Sequence, residues 1–342
     1  MSKVLLTGGS GFIAAHVLKV LLDRGYSVVT TVRSAAKGDQ IVAAHGDAVK
    51  GRLSYVIVGD IAQEGAFDEA VRSTPPFRYV VHTASPFPTS VDDPVRDLLD
   101  PAIKGTTGIL KAIKAYAPTV ERVVITSSFA AMVGGGKSVG GAPPVYDESA
   151  WNPVTWDEAV ADKTKSYRGS KTLAERAAWD FVANEKPAFD ISTICPPLVF
   201  GPVAAEQPFA GLASLNTSNQ RIRDIVQGVH VNDTIIHSPG SSLFTDVRDL
   251  ALAHVRALEV PAAGGQRFFV TTGLYSCKNI VEIVRASHPE LASRLPKDLQ
   301  DDLPADVYGY DNSRAQQVLG IQFRPLEESI ADTVTSLLKL GA

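Results

Sequence analysis

The sequence predicts an α/β protein with a doubly wound, mostly parallel sheet and a smaller, interleaved part toward the C-terminus. Two patterns indicate this fold. The chain opens with an apolar run, a glycine-rich turn and a helical periodicity, and similar apolar runs then alternate with helical ones through the first half. With 342 residues and 45% apolar content, the chain can bury a large core and exceeds the usual size of one domain.

The opening pattern is typical of a dinucleotide site. A strand over residues 3–7 leads into Gly-Gly-Ser-Gly-Phe-Ile-Ala, and a helix follows over residues 15–24. Gly8 permits a sharp turn, and Gly11 permits close approach of a pyrophosphate whose charge the helix N-terminus would stabilise. We therefore predict a Rossmann-type site whose first contacts are Gly8, Ser10, Gly11, Phe12 and Ile13.

The end of the second strand, residues 27–32, indicates the cofactor type. An enzyme that uses NAD commonly places Asp or Glu there to hold the ribose hydroxyls. This chain has Arg33, and Lys37 follows one turn later. Two cations favour a 2′-phosphate and hence NADP(H), although a solvated basic pair in a loop is the alternative.

The next two strands end in residues suited to the same ligand. Residues 53–58 lead into Asp60, whose carboxylate could accept from the adenine amino group, and residues 79–82 lead into a run of small side chains. The predicted contacts are Asp60, Ile61, Thr83, Ala84 and Ser85.

A fifth strand, residues 123–126, is preceded by a helix over residues 97–116. Because Pro101 suits a first helical position, we expect that helix to begin there with Asp100 as its cap. The strand ends in Thr126-Ser-Ser128, at the edge of an open α/β sheet where ligands bind. A serine pair after a strand is also common in turns and caps.

Tyr167 and Lys171 are spaced to lie on one face of a helix, whose apolar periodicity runs over residues 171–182. A phenol titrates near ~10, and a nearby ammonium would lower that pKa toward neutrality. With a serine hydroxyl, these are the groups that protonate a carbonyl oxygen. The alternative is an ordinary amphipathic pair.

The second half is less regular. Residues 133–164 are rich in glycine and proline and predict a long loop with a packed tryptophan cluster, Trp151 and Trp156. We expect a nucleotide-binding domain of residues 1–195, joined by about 246–275. The substrate-binding part then comprises residues 196–245 and 276–342, with helices over 246–258 and 326–340 and a strand over 266–270.

Composition excludes several classes of function. A net charge of −4 gives no reason to expect nucleic acid or an anionic membrane as a partner. Cys195 and Cys277 are far apart and indicate neither a metal site nor a disulfide framework. No apolar run approaches the ~18 residues that span a bilayer, so we expect a cytoplasmic protein.

Five motifs together resemble the extended short-chain dehydrogenase/reductases. They are Thr7-Gly-Gly-Ser-Gly-Phe-Ile13, Thr126-Ser-Ser128, Tyr167-x-x-x-Lys171, Pro196-x-x-Val-Phe-Gly-Pro202 and Phe244-Thr-Asp-Val-Arg-Asp249. Within that superfamily, His82-Thr-Ala-Ser-Pro-Phe87, Arg96-Asp-Leu-Leu99 and Glu148-Ser-Ala-Trp-Asn-Pro153 are similar to segments of fungal NADPH-dependent aldehyde and methylglyoxal reductases, relatives of plant dihydroflavonol and cinnamoyl-CoA reductases. The resemblance covers nearly the whole chain.

The resemblance implies a role for each matching residue. Ser128 would hold the substrate carbonyl, Tyr167 would be the general acid, and Lys171 would lower the pKa of Tyr167 and bind the nicotinamide ribose. Further implied cofactor contacts are Arg33 and Lys37 at the 2′-phosphate, Thr126, Ser127, and Pro196 and Val199 at the nicotinamide. The expected substrate-pocket residues are Phe87, Phe129 and Met132.

We therefore expect an NADPH-dependent carbonyl reductase that converts a small aldehyde or ketone to an alcohol, without a metal, as a monomer or homodimer. Methylglyoxal, keto esters and aryl ketones all fit the sequence. Two alternatives are an NAD-dependent sugar-nucleotide epimerase or dehydratase of the same superfamily and a non-catalytic NADP-sensing regulator. Arg33 and the apolar pocket residues disfavour the former, and the complete Ser, Tyr and Lys set disfavours the latter.

Overall fold

The computed structural model describes residues 2–85, 91–134, 136, 141–208, 211–238 and 240–342. Its strands are β1 (Lys3–Thr7), β2 (Ser27–Val32), β3 (Leu53–Ile57), β4 (Tyr79–His82), β5 (Arg122–Thr126), β6 (Val145–Tyr146), β7 (Asp190–Cys195), β8 (Leu198–Phe200), β9 (Leu243–Asp246), β10 (Arg267–Phe269), β11 (Gly273–Leu274) and β12 (Gly309–Tyr310). Its helices are α1 (Phe12–Asp23), α2 (Ala35–His45), α3 (Asp100–Tyr116), α4 (Trp156–Ala161), α5 (Lys163–Glu185), α6 (Thr217–Val226), α7 (Val247–Glu259), α8 (Cys277–Ser287), α9 (Ser313–Leu319) and α10 (Leu326–Lys339).

Seven strands form one parallel sheet in the order β10-β7-β5-β4-β1-β2-β3. The chain thus proceeds outward from β1 in both directions, which confirms the predicted doubly wound sheet. Consecutive side chains of β1 point to opposite faces because a strand has a side-chain period of two. Val4 and Leu6 pack in the core with α1 and α7, whereas Leu5 packs in the core with α3 and α5.

The smaller part is built around a three-stranded sheet in the order β11-β9-β8. A separate apolar core there includes residues of α6, α8 and α10. In contrast, β10 lies at the edge of the large sheet, paired with β7. On this grouping we propose the division expected from the sequence, in which the chain returns to the nucleotide-binding part at about residues 246–275, except that β11 near the end of this range pairs with β9 in the smaller sheet.

Two local predictions are wrong. Asp100 does not cap α3: a π-helical turn, Val95–Leu99, runs directly into the helix, and Asp100 already has helical backbone angles. The segment expected as a loop with a tryptophan cluster contains β6 and α4. Its Trp151 ring lies against the guanidinium of Arg267, 3.7 Å from the ring centroid, whereas Trp156 is exposed.

None of the helices within the described ranges has the length and apolar content that crossing a bilayer demands.

Candidate active site

A cleft of about 1110 Å³ opens at the carboxyl ends of the parallel strands, where open α/β sheets bind ligands. Most of the residues predicted from the sequence line it. They are Gly8, Ser10, Gly11, Phe12, Ile13, Arg33, Asp60, Ile61, Thr83, Ala84, Ser85, Thr126, Ser127, Ser128, Phe129, Tyr167, Lys171, Pro196 and Val199.

Among the described residues, two that were predicted are not part of this lining, and a third predicted residue cannot be placed. Met132 is fully buried in an apolar cluster that also contains Phe129 and Phe269, because the turn after Ser128 directs it into the core, so its assignment to the substrate pocket is wrong. Lys37 lies on α2 and is not among the residues around the cleft. Phe87 falls outside the described residues.

The glycine turn leaves the first helix open toward the cleft. Gly8 has a φ of +74°, a conformation that side chains rarely adopt, and Gly11 precedes α1 with no side-chain cap on the helix. Phe12 and Ile13, the first two helical residues, line the cleft. Because the first N–H groups of a helix have no intrahelical partner, this end of α1 is suited to bind an anion.

Gly9 has a packing role that the sequence analysis missed. A Cβ atom there would lie 1.9 Å from Thr30 Oγ1, and Thr30 donates from that oxygen to the backbone carbonyl of Leu6. The absence of a side chain at Gly9 lets the turn lie against β2. The G-x-x-G spacing did not reveal this contact, because β2 is distant in sequence.

Ser128 and Tyr167 meet in the cleft. Ser128 has an extended backbone and begins a 3₁₀ turn, and its Oγ accepts from the Ala130 N–H at 3.1 Å. Burial raises the pKa of Tyr167 above that of an ordinary phenol, and a hydrogen bond with the Ser128 side chain opposes that rise. Ser128 thus opposes the rise in the pKa of Tyr167, and the lowering by Lys171 that the resemblance implies stays a prediction.

Lys171 lies one helical turn beyond Tyr167, and its Nζ donates to Ser85 Oγ at 2.9 Å. Burial lowers the pKa of Lys171 to about 8. His82 lies behind it, and burial, with a smaller contribution from the Lys171 charge, lowers the pKa of His82 to about 3. His82 is therefore neutral at pH 7, and its Nδ1 is hydrogen-bonded to Thr7 Oγ1 at 2.9 Å.

Thr126 has a hydroxyl whose direction is set by a buried histidine. His254 Nδ1 lies 2.8 Å from the Leu250 carbonyl, so this nitrogen carries the proton and donates. His254 Nε2 therefore accepts from Thr126 Oγ1, 2.7 Å away. Burial lowers the pKa of His254 to about 4, which keeps the ring neutral. Thr126 thus turns its proton away from the cleft and can only accept from a ligand.

Ser127 also directs its hydroxyl away from the cleft. Its Oγ donates to Glu175 Oε2 at 2.5 Å, and both residues are buried. The predicted cofactor contact of Ser127 therefore does not involve its hydroxyl proton. Glu175 is a buried carboxylate that the sequence analysis missed.

The end of the cleft beside β2 and β3 is polar. Arg33 is exposed immediately after β2 and lines the cleft. Asp60 follows β3 and accepts from the Ala62 N–H at 2.9 Å. Within the part of the chain that the structure describes, no group of three or more His, Cys, Asp or Glu residues is placed to hold a metal ion.

Comparison with known proteins identifies the family. Residues 4–270 match the model of the NAD dependent epimerase/dehydratase family. The chain belongs to this family. The ketoreductase azaE of Aspergillus niger is 52% identical to this chain over 340 residues, which cover 98% of each protein.

Two further relatives have descriptions that specify a cofactor. The NADPH-dependent methylglyoxal reductase GRE2 of Saccharomyces cerevisiae is 34% identical over 347 residues, covering 98% of each protein. The crystal structure of Gre2 from Candida albicans in complex with NADPH has a TM-score of 0.85 and 34% identity, covering 100% of each chain. These similarities confirm the resemblance to reductases. They cover 98–100% of the chain, whereas the family match ends at residue 270.

Proposed function

We propose that this protein is an NADPH-dependent carbonyl reductase that reduces an aldehyde or ketone to the alcohol. The observation that supports it most strongly is the meeting of Ser128 and Tyr167 in the same cleft as Lys171 and the glycine turn. The named activities of azaE and GRE2 support the same reaction class.

The cleft fits a phosphorylated dinucleotide. The uncapped N-terminus of α1 offers backbone N–H groups to a pyrophosphate, and the turn at Gly8 lies so close to Ala84 that a Cβ at Gly8 would be 3.1 Å from Ala84 Cα. Arg33 places a guanidinium at the end of β2, where the 2′-phosphate of NADPH would lie and where an NAD-dependent enzyme would carry a carboxylate. The Gre2 complex with NADPH supports this cofactor.

Bound NADPH would supply the hydride, and the chain supplies the proton and the stabilisation of charge. Because burial raises the pKa of Tyr167, the phenol stays protonated at neutral pH and is available as the general acid. The Ala130 N–H donates to Ser128 Oγ, and a bound carbonyl oxygen would replace the Tyr167 oxygen as the acceptor of the Ser128 hydroxyl proton. Lys171 contributes a positive charge near the phenolate that remains after proton transfer.

The test is an NADPH-depletion assay over methylglyoxal, keto esters and aryl ketones, with NADH in parallel. Tyr167→Phe should lower kcat by about 10²- to 10⁴-fold, the usual contribution of a general acid, while the Kd for NADPH stays within about twofold. Tyr55→Phe is the matched control, because Tyr55 donates to Asp39 at an exposed site beyond the cleft. Wild-type turnover in Tyr167→Phe would refute the proposal, as would interconversion of a sugar nucleotide without net NADPH consumption.

A further inference from the structure

Glu175 extends the catalytic face of α5. It follows Lys171 by one helical turn and Tyr167 by two, so the three side chains lie on one side of the helix. Unlike the other two, Glu175 does not line the cleft, and it is only 3% exposed. A carboxylate buried to this degree is costly unless its charge is paired and its oxygens are hydrogen-bonded.

Donors from several elements satisfy this carboxylate. Ser127 Oγ donates at 2.5 Å from the end of β5, and Thr193 Oγ1 donates at 2.7 Å from β7. The Arg267 guanidinium on β10 donates through Nε at 2.7 Å and Nη2 at 3.2 Å. Trp179 Nε1, one turn further along α5, donates at 3.3 Å. Glu175 therefore joins α5 to three neighbouring strands of the sheet.

Ser127 connects this cluster to the active site. It precedes Ser128 directly, and its N–H donates to the Ile194 carbonyl at 2.7 Å. The N–H of Phe129, on the other side of Ser128, donates to the Pro196 carbonyl at 2.8 Å. In extended backbone, consecutive side chains point to opposite sides. Ser127 therefore points into the cluster while Ser128 points toward Tyr167, with backbone bonds holding the residues on both sides of Ser128.

Arg267 connects the same cluster to the segment before α4. Its Nη1 donates to the carbonyls of Glu148 at 2.7 Å and Ala150 at 2.8 Å, and its guanidinium lies against the Trp151 ring. The Glu148 side chain accepts from the Phe269 N–H at 3.0 Å on β10. The ion pair between Glu175 and Arg267 thus links α5 to residues 148–150, in the segment before α4.

We infer that Glu175 is a positioning residue for carbonyl reduction: acting through Ser127, it holds the Ser128 hydroxyl where it can hydrogen-bond with the Tyr167 phenol. Arg267 pairs with the Glu175 carboxylate and orients it for this bond. This role rests on the proposed function. It also predicts that Ser127 contributes to kcat through Glu175 and not through an affinity for the cofactor.

Ser127→Ala and Thr193→Val form a matched pair. Each variant removes one hydroxyl donor from the same carboxylate, but only Ser127 adjoins Ser128. We expect kcat to fall about 10- to 100-fold in Ser127→Ala, because small misplacement of a catalytic group has effects of that size, and less than about threefold in Thr193→Val. The KM for NADPH should stay within about twofold of wild type in both variants.

Thermal unfolding of both variants separates positioning from general stability. Equal losses of kcat in the two variants, or losses that follow the change in Tm, would overturn the inference in favour of a structural role. A raised KM for NADPH with unchanged kcat in Ser127→Ala would also overturn it, because that result makes Ser127 a cofactor contact. Tyr167→Phe in the same assay isolates the proposed function: full activity there refutes the reaction mechanism, whatever Ser127→Ala does.

Glu175→Gln supplies a second, independent measurement. It keeps the shape of the side chain but removes the charge opposite Arg267. If both residues act through one link, the double variant Ser127→Ala with Glu175→Gln should lose no more kcat than Glu175→Gln alone. Multiplicative losses would contradict the link. Should Glu175→Gln not fold, the comparison of Ser127→Ala with Thr193→Val still decides the inference.

Discussion

Replacing Arg33 by Ala should convert an NADPH-selective cleft into one that binds NADPH and NADH almost equally. Arg33 lines the cleft at the end of β2, where the 2′-phosphate is expected, whereas Lys37 does not line it. The two cations were predicted from sequence to share the phosphate. Only Arg33 of the two lines the cleft, and this difference supplies a matched control.

The size of the effect follows from the type of bond. Hydrogen bonds to a charged group contribute about 1.5–3 kcal/mol, and because Arg33 is exposed, the lower half of that range is expected. Since about 1.4 kcal/mol corresponds to a tenfold change in affinity, the Kd for NADPH should rise about 10- to 40-fold in Arg33→Ala. The Kd for NADH should change less than about twofold, and Lys37→Ala should weaken NADPH less than about threefold.

Fluorescence titration of each variant with both nucleotides measures these constants directly. Repeating the titrations at higher salt adds a check, because screening should weaken the binding of NADPH to the wild type more than to Arg33→Ala. Equal weakening of NADPH and NADH in Arg33→Ala would refute a contact with the 2′-phosphate. An effect of Lys37→Ala as large as that of Arg33→Ala would refute the separation of the two cations.

Three further outcomes are expected. Gly9→Ala should lower the free energy of unfolding in urea by about 1–3 kcal/mol, since its methyl group would meet Thr30. Thr30→Ala should cost less stability in the Gly9→Ala background than in the wild type, and equal costs in the two backgrounds would contradict the contact. The folded-state pKa of Lys171 is about 8 and lies below the unfolded value of 10.5, so the unfolded chain binds more protons between these pH values. The free energy of unfolding of the wild type relative to Lys171→Met should therefore rise from pH 8 to pH 10. A difference that does not change with pH would count against burial of the ammonium. Thr126→Val should cost about 1–3 kcal/mol by leaving His254 Nε2 buried without a donor, and Thr126→Ser should restore most of it; equal losses in the two variants would exclude this hydrogen bond.

The parts of the site that could be predicted from sequence are those set by local rules. The strand, glycine turn and helix around Gly8 and Gly11 follow one another in the chain, and parallel strands place their carboxyl ends at one edge of the sheet. The four-residue spacing places Tyr167 and Lys171 on one face of α5. These rules do not depend on which distant residues pack against each element.

The parts that were missed depend on contacts between distant segments. Glu175 and Arg267 are 92 residues apart, and their pairing requires β10 to lie beside β7, an arrangement that no local pattern indicates. The orientation of Met132 depends on the turn after Ser128. One signal was available: Glu175 continues the four-residue spacing of Tyr167 and Lys171, on a helix face that the sequence assigned to the active site.

The most direct test of the catalytic cleft is the fate of a deuterium label. NADPH that carries deuterium at the transferable position of the nicotinamide ring, incubated with the enzyme and the best carbonyl of the panel, should yield an alcohol with one deuterium on the former carbonyl carbon by mass spectrometry. Tyr167→Phe should bind the labelled cofactor and form almost no alcohol. Alcohol without deuterium, or labelled alcohol formed at the wild-type rate by Tyr167→Phe, would contradict hydride transfer with Tyr167 as the proton donor.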